Sequence, residues 1–228
     1  MSHDPDASPF NSVPPVIVAL ALAILFVEIA LWGASRGLLG GAGGVGWRAS
    51  AVQSYAFYGP ILDYMIEIGS FNLPDIGRFL TYSFIHASFT HVLFVLVFVL
   101  ALGKMVAETV SPLAAMVVFF GSAAVGALAY AALTNDTRPL LGGFPAVYGL
   151  IGAFTFLLWV RLGAAGAPQY RAFSLIGVLL GLQLLFGLVF GGTNDWVAEV
   201  AGFVFGFAIT PIVAPGGFRL LLAKLRDR

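Results

Sequence analysis

Six nearly unbroken apolar stretches dominate the chain, at about 14–34, 90–110, 112–133, 142–160, 172–190 and 196–214. A helix that crosses a bilayer needs roughly 20 apolar residues, so each stretch is predicted to be one membrane-spanning helix. Pro14 and Pro15 suit the first turn of the first span, where a missing N–H matters little. The residues before it, "MSHDPDASPF", carry acids and no Lys or Arg. They lack the basic front of a secretory signal, so the first stretch reads as an uncleaved span.

One connection is long, from 35 to 89. It opens on the flexible "GLLGGAGGVG", and Trp47 and Arg48 follow. In "PILDYMIEIG", Asp63 and Glu67 stand four apart on one stripe, with Ile61, Leu62, Met65 and Ile66 on the rest. That pattern predicts a short helix lying in the membrane interface. "LPDIG" is expected to end it, and Arg78 to lead into the second span.

Composition fixes the class. Of 228 residues, 60% are hydrophobic and 10% charged, with a mean hydropathy of +0.97, far from soluble domains. The expected fold is therefore an all-α polytopic membrane bundle. It divides into a short cytoplasmic N-terminus (1–13), a membrane domain (14–214) and a basic tail (215–228). Eleven basic and eleven acidic residues cancel, so no field favours nucleic acid. No cysteine is present, and His3, His86 and His91 are the histidines. Neither a metal nor a cofactor is expected. With the N-terminus inside, Lys104, Arg161, Arg171, Arg219, Lys224, Arg226 and Arg228 lie on the cytoplasmic side. Arg36, Arg48, Arg78 and Arg138 lie outside. This bias predicts both termini in the cytoplasm, in a bacterial inner (plasma) membrane. The leucines and cations of "RLLLAKLRDR" also suit an anionic leaflet.

Four motifs then follow in order. "RFLTYSFIHASFTHVLF" leads into the second span, "LALGKMVAE" closes it, "GGFPAVYGLIGAF" opens the fourth and "VAEVAGFVFGFA" lies in the sixth. In order and spacing they resemble the rhomboid family of intramembrane serine proteases (peptidase S54-like). The "WR" of the long loop joins the resemblance, which covers most of the chain. The resemblance implies a Ser–His dyad within the membrane. A serine on the fourth helix attacks the peptide, and a histidine on the sixth takes its proton. A histidine and an asparagine on the second help hold the oxyanion, as donors aimed at developing charge.

Carried over residue by residue, the serine position holds Phe144 and the next holds Pro145. The sixth-helix histidine position holds Glu199, and the asparagine position one turn after His91 holds Val95. His91 and Tyr148 remain. A phenyl ring cannot attack a carbonyl, and losing a serine nucleophile alone costs on the order of 10⁶ in kcat. Ser122 and Thr155 are other hydroxyls, without a histidine base at a family-like position. No catalytic residue is expected.

The altered site still carries polar groups. Phe144, Tyr148 and Gly152 share a face of the fourth helix, and Glu199, Gly202 and Gly206 one of the sixth. With Gly149 added, small residues at this spacing let the two helices approach closely. Glu199 is expected beside Phe144 and Tyr148 in a remnant cavity with His86 and His91, bonded by Tyr148 or water. A helix start near Asn194 would equally favour an acid there. His91 also reads as a structural histidine, and Glu28 as a partner for the long loop. Three functions remain open. One is a non-catalytic member that binds or escorts transmembrane client helices within the lipid bilayer. Another is an active intramembrane serine endopeptidase with unorthodox chemistry. The third is a small proton-linked transporter using Glu28, His91, Gln183 and Glu199, although the expected internal repeat is missing.

Overall fold

The structure, a computed structural model, describes residues 12–190 and 192–214. The basic tail and all but two residues of the N-terminal segment lie outside the described residues, as does His3. The described residues form an all-α bundle with no strand longer than a single bridge.

The first helix, α1, runs Pro15–Ser35 with proline in its first turn. The second span runs Phe89–Thr109 as α6 (Phe89–Phe98), a π-helical turn (Val99–Gly103) and α7 (Lys104–Thr109). Ser88 caps it by accepting the His91 N–H at 3.2 Å. Then come α8 (Pro112–Leu133), α9 (Phe144–Ala164), α10 (Ser174–Phe190) and α11 (Asp195–Val213). Ser111 caps α8 through the Ala114 N–H at 3.0 Å, beside Pro112 in the first turn.

Among the described residues, five of the six predicted spans are long and apolar enough to cross a membrane. The expected fifth span, α10, is apolar but has 17 residues, a rise of about 25 Å. That is a little short of the ~30 Å hydrocarbon core.

The long loop is more helical than its pattern predicts, with α2 (Gly41–Gly44), α3 (Trp47–Tyr55), α4 (Gly59–Ile68) and α5 (Leu73–Thr81). The helix predicted in "PILDYMIEIG" is α4. Its terminator is Gly69, at φ +65°, where a left-handed residue closes the last turn. "LPDIG" instead begins α5, because Asn72 accepts the Asp75 N–H at 3.0 Å and Pro74 fits the first turn. Arg78 accordingly lies within α5. It pairs with Asp75 at 3.3 Å and donates to the carbonyls of Gln53 and Ala56, tying α3 to α5.

The loop is stitched to the bundle at two levels. Phe57 and Leu140 exchange backbone hydrogen bonds of 3.4 and 2.8 Å, and the Tyr82 hydroxyl donates to the Ala123 carbonyl of α8 at 2.9 Å. Nearer the α1 side, Arg48 grips Glu28 with both terminal guanidinium nitrogens, at 2.7 and 3.2 Å. It also donates to the His86 carbonyl. Glu28 is 1% exposed, so this fork is its compensation.

The centre of the bundle is the contact of α9 with α11, and both pack on α8. Glycines set its closeness. A Cβ added at Gly206 would lie 2.6 and 2.7 Å from the carbonyl carbon and Cα of Gly149. One at Gly202 would meet the Pro145 carbonyl, and one at Gly152 would meet Phe203 and Phe207 backbone. Gly149 itself faces the Ser122 side chain of α8. The four predicted packing glycines thus let backbone touch backbone. Pro145 sits in the first turn of α9, so its missing N–H leaves no helical bond unmade.

Candidate functional site

The segment before α9 is held from three sides. Gly142 donates to the Tyr82 carbonyl at 3.0 Å and takes φ +86°. A Cβ there would also run into the His91 ring, so both conformation and space require glycine. Gly143 donates its N–H to His86 Nε2 at 3.3 Å. Its flank is filled by Val95, whose Cγ1 would stand 2.8 Å from an added Cβ. Burial, and secondly the neighbouring His91, hold the His86 imidazole down at about 3. His86 is therefore a neutral acceptor at ordinary pH.

The two histidine rings meet edge to face, with centroids 5.1 Å apart. His91 then stacks on Phe144 at 4.7 Å and 18°. Beyond that phenyl ring lies a cavity of about 280 Å³. Phe144, Val147, Tyr148 and Ile151 of α9 form one wall, and Glu199 of α11 stands beside them. Phe94 and Phe98 of α6 and Leu179 and Gln183 of α10 complete it. Phe94 remains 54% exposed, so the cavity is not sealed from the surroundings of the bundle.

The structure places Phe144, Tyr148 and Glu199 along one cavity. His86 and His91 do not line the cavity, because the Phe144 ring stands between His91 and the open space. The partner of Glu199 also differs from expectation. Gln183, the single amide in α10, hydrogen-bonds the carboxylate; Tyr148 makes no such bond among the described residues. One acceptor on each side, Glu199 Oε2 and Gln183 Oε1, is left without a partner. Ser122 and Thr155 are fully buried outside the cavity, their hydroxyls also unpartnered.

Sequence reading missed Phe94, Phe98 and Leu179, which look like any lipid-facing residues until the helices are placed. Gln183 carried a readable signal, a lone amide in an apolar span, but its neighbour did not.

An all-α bundle with a long helical first loop and a glycine-tight contact of its fourth and sixth spans defines a polytopic integral membrane protein. The chain belongs to the rhomboid family: the Rhomboid domain matches residues 74–216. It is also 28% identical over 197 residues to Rhomboid-like protease 2 of Toxoplasma gondii, which covers 85% of this chain and 63% of the relative. The chain thus spans under two thirds of that relative's length. Trp47 and Arg48 precede the matched domain, and Arg48 anchors the loop to Glu28.

Proposed function

We propose that this rhomboid-family membrane protein holds transmembrane helices of client proteins without cutting them. The observation that carries the reading is the occupant of the cavity's reactive corner. Where the motif order puts a nucleophile and a base, there stand a phenyl ring stacked on His91 and a carboxylate bonded to an amide. Tyr148 is the one hydroxyl among the described lining residues, and a phenol with no histidine beside it is a poor nucleophile. The unsealed cavity between α6 and α10 supports lateral access for a client.

The membrane in this proposal is a bacterial inner membrane, with both ends of the chain cytoplasmic. The asymmetry of Lys and Arg supports that orientation.

A fluorophosphonate probe should leave the purified protein unlabelled, and model transmembrane substrates should stay intact while crosslinking to α6 or α10. The name of the Toxoplasma relative favours the second reading, an active endopeptidase. Labelling that vanishes in Thr155→Val or Ser122→Ala would establish that reading and end the first. Phe144→Ser alone should restore nothing, since Glu199 is held by Gln183 and is a weaker base than histidine.

A further inference from the structure

We propose that the α6/α10 cavity selects client helices by one cationic side chain, a lysine or arginine, inserted against Glu199 and Gln183. The inference rests on the client-holding reading and names the feature recognised.

Size comes first. A helix with its side chains is about 10–12 Å across, whereas the cavity holds about 280 Å³. It admits a side chain from a helix lying alongside, and no more. Polarity comes next. Glu199 is 5% exposed, and Glu199 Oε2 and Gln183 Oε1 are both acceptors without a donor. Among the described residues, no lysine or arginine lines the cavity. The Tyr148 hydroxyl and the Gln183 amide N–H leave these two acceptors unmatched, so a neutral acceptor or an anion in the visitor would keep the mismatch in place. An ammonium or guanidinium supplies three to five N–H groups.

The rest of the wall suits the rest of that side chain. Phe94, Phe98, Phe144 and Tyr148 offer apolar faces for a methylene stem, and their rings attract a cation. A cation left in a lone client span is expensive in the bilayer, and so is a buried carboxylate partnered by an amide. Bringing the two together relieves both. Glu199 is the fifth residue of α11, about 6 Å below its start, which sets the depth at which the client's cation must lie.

The test uses the full chain in phosphatidylglycerol nanodiscs and a synthetic poly-leucine span with one guest residue about 6 Å below its outer end. A photocrosslinker at Leu179 measures capture. Lysine and arginine guests should be captured at least tenfold better than leucine, with glutamate weakest. Glu199→Gln should reduce the lysine-to-leucine ratio to about one while leucine capture persists. Gln183→Leu, which leaves the carboxylate in place, should keep the preference, and thermal unfolding verifies that both variants are folded.

Equal capture of all guests would overturn the inference and leave client holding intact. Capture of none would overturn both. Cleavage of a guest would overturn the non-cutting reading alone. If adding phosphatidylethanolamine to the discs removes the lysine preference, a lipid ammonium is the occupant, and the assignment to a client side chain fails.

Discussion

The contact of α9 with α11 makes a quantitative demand on Gly206. A methyl there would sit 2.6 Å from the Gly149 carbonyl carbon and 2.7 Å from its Cα, against an ordinary contact of about 3.4–4 Å. Both partners are backbone, so no side chain can rotate away. The helices must part by roughly 1 Å, and a gap of that size forfeits about a quarter to a half of the dispersion energy of the atoms along the seam. Lipid tails are as apolar as the seam, so the bilayer offers no hydrophobic compensation. Gly206→Ala should therefore cost about 3 kcal/mol, the upper part of the range for overpacking. For a chain of this size that lowers the melting temperature by roughly 6–12 °C.

Circular dichroism melts in detergent at matched scan rates would measure it, with Gly181→Ala as the control. A Cβ at Gly181 of α10 meets nothing within 4 Å, so the same substitution should be neutral or gain up to about 1 kcal/mol of helix propensity. Gly149→Ala should also destabilise, since the Ser122 hydroxyl can rotate away from the new methyl but the Ser122 Cβ, fixed to the α8 backbone, cannot. If Gly206→Ala and Gly181→Ala melt together, α9 and α11 do not pack backbone on backbone, and the geometry of the cavity they support is wrong as well.

Three other outcomes are expected. Arg48→Ala leaves the buried Glu28 carboxylate alone and should cost about 3 kcal/mol, the lower end for a broken buried pair because Arg48 is 25% exposed; Glu28→Leu with Arg48→Leu should recover most of it in the same melts. His86, held at about 3 against an ordinary value near 6.5, stays neutral in the folded chain while the unfolded chain takes up a proton. Its contribution is thus complete above pH ~6.5 and lost as pH falls toward 3, by about 2 kcal/mol at pH 5. Stability against pH for wild type and His86→Gln should show that slope in the former alone, and equal slopes would refute it. Reporter fusions at Ser8, Ser54 and Arg228 should signal inside, outside and inside the membrane respectively; an outside signal at either end would reverse the proposed orientation.

The bundle was legible because hydrophobic length is a coarse and redundant signal. Every predicted span corresponds to a helix whose ends fall within about four residues, and caps such as Ser111-Pro112 sharpen them. The loop was less legible for a definite reason. "LPDIG" contains the residues that end helices and also those that begin them, and only the Asn72 side chain on the Asp75 N–H decides between the two. The face shared by Phe144 and Tyr148 followed from spacing along one helix. The place of His91 did not, since it depends on where a neighbouring phenyl ring comes to rest. The Arg48 fork onto Glu28 joins residues twenty apart, with nothing between them in sequence to announce it. Glu28 as a partner of the loop could be read from the cost of a carboxylate in an apolar span, but the identity of the partner could not.

The position of Phe144 has a consequence for every polar group around it. On one side the His86 and His91 rings and the Gly143 N–H lie together with Gly142 pressed against them, and His86 Nδ1 and His91 Nε2 have no hydrogen-bond partner among the described residues. On the other side Glu199, Gln183 and Tyr148 share the cavity. A proton moves between groups only within hydrogen-bond reach, directly or through a water, and the phenyl ring, stacked flat on His91, offers neither a donor nor an acceptor across the boundary. The two halves can therefore be tuned separately. The histidine side fixes the turn that starts α9, and its worth is read in stability. The carboxylate side faces a space open to a neighbouring helix, and its worth is read in what it holds. A relay that used His91 and Glu199 together, as proton transport would, has to cross a ring that conducts nothing.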